Sequence, residues 1–151
     1  MEPQMTSHQS TSRRERDLHL ALLLYATCFV AHNADHARRG VAASPEPVVW
    51  AGTAVAMMSA ALATLILTKH RLAPVASFVG GTTIAIGVSL THYLPKWGVL
   101  SDPVLTSWAD SWTRVAVSLE ITGAALLAVT ALSVVRSRGW SGRAGSSKRT
   151  Y

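Results

Sequence analysis

VVWAGTAVAMMSAALATLILT, residues 48–68, contains no charged side chain. A bilayer core about 30 Å thick is crossed by roughly 20 apolar helical residues, so this stretch reads as a membrane-spanning helix. Three further runs flank it. Residues 18–39 begin LHLALLLYATCFVA and end in the polar HNADHARR. Residues 75–94 (VASFVGGTTIAIGVSLTHYL) carry one histidine near their end. Residues 112–135 (WTRVAVSLEITGAALLAVTALSVV) carry Arg114 and Glu120. The first run is the weakest by hydropathy, because its last third is polar.

Composition agrees with these runs. The 151-residue chain is 49% apolar and 15% charged, where soluble domains carry about 25% charge. The expected fold is therefore all-α: a polytopic four-transmembrane-helix bundle with helices at about 18–39, 48–68, 75–94 and 103 or 112–135. Residues 18–136 form one membrane domain, between a tail at 1–17 and a basic tail at 137–151. A single cysteine, Cys28, excludes an intrachain disulfide framework and an all-cysteine zinc site. No phosphate-binding loop, nucleophile elbow, dinucleotide fingerprint or nucleic-acid module is present, so no nucleic-acid partner is expected. The partners expected are the lipid bilayer and a homo-oligomer or larger membrane complex.

Punctuation between the runs is coherent. Gly40 and Pro45-Glu46-Pro47 separate the first two, and Lys69-His70-Arg71 with Pro74 separates the next. Pro95 stops the third. Asp102 followed by Pro103 reads as a helix N-cap with proline at the first helical position. The first run lacks a small-x-small cleavage site and is read as a helix rather than a cleaved signal. Gly52, Ala56 and Ala60 form a small-residue ridge of the kind that packs membrane helices. Gly80, Gly81 and Gly87 also read as close-packing positions.

Orientation follows from basic residues, which concentrate on the cytoplasmic side. The termini and the Lys69 loop hold 10 Lys and Arg, and the opposite side holds 4. Both termini are thus expected in the cytoplasm, with Trp50, Trp97, Trp108 and Trp112 as an aromatic belt at the outer interface. Abundant Arg and Ala point to a bacterial plasma membrane.

Ionisable groups inside a membrane are costly and mark function or internal pairing. His32, Asp35 and His36 are spaced i, i+3, i+4 and share one helical face, along with Tyr25, Cys28 and Arg39. Two histidines at i, i+4 can chelate one metal ion. The aspartate can be a further ligand, or hold an imidazole N–H from outside the coordination sphere. At the usual helical rise, His92 and His36 lie about 5 Å inside the outer boundary, His32 about 10 Å and Glu120 about 12 Å. The metal-ligand candidates are therefore His32, Asp35, His36, His92 and Glu120. Asp35 and Glu120 are also candidate general bases, Ser89 an outer hydrogen-bond partner, and Arg38 and Arg39 contacts for an anionic substrate or headgroup.

Imidazole with carboxylate suits several divalent metals. Zinc is favoured over iron or copper, since it needs no redox partner. The corresponding function is a small membrane metalloprotein, with a metal-dependent enzyme acting on a lipid-like or small substrate as its catalytic form. Two alternatives stand beside it. One is a non-catalytic subunit or scaffold whose polar network only packs helices. The other is a haem protein with two axial histidines, His92 with His32 or His36. His8, His19 and His70 read as surface residues, and Asp110 with Arg114 as a local i, i+4 pair.

Overall fold

The computed structural model describes the backbone of residues 4–40, 43–106 and 109–146, and the side chains of 13–40, 43–106 and 109–137. Four helices are present and no strand among the described residues: α1 (Gln4–Arg39), α2 (Glu46–Leu67), α3 (Ala73–Tyr93) and α4 (Ser111–Ser146). α2, α3 and the Ser111–Ser137 part of α4 are each long and apolar enough to cross a membrane. Both terminal helices run past their apolar stretches. α1 begins at Gln4 rather than near Leu18, and α4 continues to Ser146. Trp108 and the tail side chains beyond Ser137 lie outside the described residues.

Neighbouring helices run antiparallel. Arg14 Nη1 reaches the carbonyl of Ser133 at one end of the α1–α4 pair, and Asp35 meets Thr113 at the other. α4 packs closely against both α1 and α3, whereas α2 sits more loosely against α1 and α3. Two glycines bring α4 in. A Cβ on Gly81 would meet the Ala124 carbonyl oxygen at 2.8 Å, and one on Gly123 would meet Tyr25 Cα at 3.1 Å. Gly80 lies against Leu62. The Gly52-Ala56-Ala60 ridge does not bury itself in this way. Gly52 and Ala60 are exposed, and a Cβ at Gly52 or Gly87 would meet nothing within 4 Å.

The core runs along α1, α3 and α4, through Leu22, Tyr25, Ile84, Val117, Leu127 and Ala131. Outward, Leu23, Val30, Met57, Val79, Ile86 and Val129 are exposed. Large apolar side chains facing out on every helix are what a bilayer solvates and water does not. Helix ends are capped locally. Gly40 takes φ 86° after α1. At the end of α2, Lys69 takes φ 52°, while its N–H reaches the Ile66 carbonyl and that of His70 reaches Leu65. That pair of bonds closes the last turn in the pattern usually served by glycine.

The segment before α4 departs from expectation. Asp102-Pro103 does not start a helix. The N–H groups of Asp102 and Val104 instead bond the carbonyls of Thr91 and His92, at 3.0 and 2.8 Å. These carbonyls belong to the last turn of α3 and would otherwise lack partners. The N-cap of α4 is Asp110, whose Oδ1 accepts the Thr113 N–H at 2.8 Å. That N–H first, and Arg38 beside it, hold the Asp110 carboxyl below the usual carboxylate range. Arg114 does not pair with Asp110. It donates to the Val104 and Thr106 carbonyls and pins the 101–106 segment down.

Candidate metal centre

His32 and His36 of α1 and His92 of α3 come together in the interior of the bundle. One ring nitrogen from each lies within 4.8 Å of the other two. The ring centroids are 4.7 Å apart for His32–His36, 5.0 Å for His32–His92 and 6.0 Å for His36–His92. His32 and His92 are buried and His36 is half-buried. The i, i+4 spacing on α1 supplies the first pair, and α3 delivers the third ring at matching depth.

Each ring is held from outside the cluster. His32 Nδ1 bonds Glu120 Oε2 of α4, with both side chains buried. His92 Nδ1 donates to the Asp102 carbonyl at 2.9 Å. A carbonyl only accepts, so this bond leaves His92 Nε2 with its lone pair. His36 Nδ1 lies 3.1 Å from Ser44 Oγ, which itself donates to Asp102 Oδ2 at 3.1 Å. With its one hydrogen on the carboxylate, the hydroxyl accepts from His36. Arg39 Nη2, 3.1 Å from the same nitrogen, favours the opposite tautomer. His36 is thus the ring whose tautomer depends on two competing neighbours, and His92 is set by one.

The strongest local signal is His32 Nε2. It is buried and has no hydrogen-bond partner among the described residues. Buried polar atoms are rarely left unsatisfied, because each costs the desolvation of that atom. A metal ion accepting the lone pair would satisfy it. Rings oriented by a carboxylate, a carbonyl and a hydroxyl relay match how metal-ligating histidines are usually supported. The donor set therefore fits a compact divalent cation. It does not fit haem. Two axial rings stand on opposite sides of a macrocycle, and a third imidazole this close to both would occupy its plane.

Glu120 joins the cluster, as its depth on α4 implied, but Asp35 does not. The Asp35 carboxylate is buried and engaged by Arg38 Nη2 at 2.7 Å, Arg39 Nε at 2.9 Å and Thr113 Oγ1 at 3.2 Å. The i, i+3 spacing that brings Asp35 near His32 also brings Arg38 near it, with Arg39 at i+4, and charge pairing wins. Arg38 spans from Asp35 to Asp110, and Arg39 lies beside Asp102 at 3.9 Å. Arg38 thus ties α1 to the start of α4, and Arg39 ties it to the loop that caps α3. Ser89 turns back to the Ala85 carbonyl at 2.7 Å and takes no part in the cluster.

Two members escaped the sequence reading. Ser44 and Asp102 sit in connections, so no helical period marks them. Asp102 carried only the signal of a cap. His19 and His70 lie at the opposite end of the bundle, where Glu15 and Lys69 meet. The chain matches no protein-family model, and no curated protein or solved structure is significantly similar to it.

Proposed function

We propose that this chain is a four-span plasma-membrane metalloprotein with both termini in the cytoplasm and a three-histidine zinc centre in the outer leaflet. The observation that carries the reading is the orphaned, buried Nε2 of His32, on a ring clustered with two further imidazoles. The 10-to-4 distribution of basic residues supports the orientation. Trp50, Trp97 and Trp112 are exposed and lie at the histidine end, as an interfacial belt would. α1 lacks the hydropathy of the other three, yet packs along α4 and turns Leu20, Leu23, Leu24 and Val30 outward. That pattern supports a fourth span.

Three neutral imidazoles around one ion leave a coordination position open, as catalytic zinc sites do. Glu120, and not Asp35, borders the adjoining cavity, so proton exchange with anything bound there falls to Glu120. Metal content after equilibrium dialysis against zinc tests the reading. Wild type and His70→Ala should each retain one zinc per chain, and His32→Ala, His36→Ala and His92→Ala should each lose it. A well-folded wild type that retains none would leave the histidines and Glu120 as a packing network alone.

A further inference from the structure

Beside the three rings lies a cavity of about 260 Å³, walled by α1, α2 and α3. Phe29, Val48, Val55 and Val88 make its sides apolar, and His32, His36, His92 and Glu120 make one end polar. Gly52 and Gly87 also line it, and the space beside both is free, since a Cβ at either position meets nothing within 4 Å. Leu90 and Trp97 line it and are themselves exposed, so its mouth lies on the lateral surface near the aromatic belt. In the proposed orientation that surface faces outer-leaflet lipid. The volume is below the roughly 300–1,000 Å³ of pockets that take drug-sized ligands. It suits a single alkyl chain and excludes a two-chain lipid inserted whole.

We propose that this cavity binds a single-chain anionic amphiphile of the fatty-acid class, entering laterally from the outer leaflet. The alkyl chain lies along α2 and α3, and the carboxylate reaches the imidazole centre. This rests on the metal reading of that centre. The polar end decides the head group. Arg38 and Arg39 offset the Asp35 and Asp102 carboxylates, so one divalent ion beside Glu120 retains net positive charge, and buried charge demands a partner. The apolar walls decide the chain. Each methylene moved from water into the cavity strengthens binding, which a short carboxylate cannot exploit.

The test uses the full-length protein in nanodiscs of neutral lipid, loaded with cobalt(II), whose visible absorption reports the ligands on the metal. Decanoate should change the spectrum saturably, at a concentration more than roughly 50-fold below that of acetate, the gain expected of about three buried methylenes. Gly87→Leu places a side chain in the cavity and should abolish the decanoate response. The spectrum of that variant before decanoate is added reports that its site is assembled, and Gly52→Leu repeats the test from the facing wall. Equal responses to decanoate and acetate would overturn the proposal. So would a decanoate response that survives in both variants, which would mark partitioning into the bilayer alone. A protein that gives no cobalt spectrum overturns the metal reading and this proposal with it. A normal cobalt spectrum blind to decanoate overturns this proposal only.

Discussion

Glu120 is the carboxylate that bonds a histidine of the cluster and also borders the cavity. Its bond to His32 Nδ1 leaves the buried Nε2 as that ring's unpartnered nitrogen. Glu120→Gln keeps the shape and removes the charge, so it should weaken zinc binding by about 10- to 100-fold, read by competition with a chelator of known affinity. Asp35→Asn should affect zinc less than Glu120→Gln, because the Asp35 carboxylate is engaged by Arg38, Arg39 and Thr113. A larger loss for Asp35→Asn would place that residue in the site after all. The histidine spacing and the depth of Glu120 were legible from residue order alone. The partner that Asp35 would choose was not, since His32 three residues before it and Arg38 and Arg39 three and four residues after it all fall on its side of the helix. Ser44 and Asp102 were invisible as supports because their positions depend on how two connections fold over the ends of α1 and α3.

Among the elements, close approach is decided by which face a glycine presents, and sequence spacing does not reveal the face. The Gly52-Ala56-Ala60 ridge has the right period, but its Gly52 lines a cavity. Gly81 and Gly123 are the positions where backbone meets α4 or α1. Gly81→Val should therefore destabilise the bundle by about 1–3 kcal/mol, the usual cost of overpacking. Gly52→Ala should leave the thermal midpoint in detergent nearly unchanged. Equal effects would mean that α3 and α4 can separate without loss. The start of α4 carries a pH dependence. The Asp110 carboxyl is held low by the Thr113 N–H and Arg38. Its contribution is in place at neutral pH and is lost as pH falls through and below the ordinary carboxylate range. The stability gap between wild type and Asp110→Ala should shrink on acidification. A gap that widens would contradict the cap.

For the whole molecule, the proposed orientation puts the histidine end at the outer interface and the Lys69 turn in the cytoplasm. Cysteines introduced into a Cys28→Ser background at Gly98 and Arg71 separate the two ends. Gly98→Cys should react with an impermeant maleimide in intact cells, and Arg71→Cys only after permeabilisation. The reverse pattern would turn the centre and its cavity towards the cytoplasm. Zinc K-edge X-ray absorption of the loaded wild-type protein reads whether three histidines from α1 and α3 hold one metal ion. The first shell should contain three imidazole nitrogens at about 2.0–2.1 Å, with the imidazole signature lost in His92→Ala. A first shell of oxygen alone, or a spectrum unchanged by His92→Ala, would contradict three-histidine ligation.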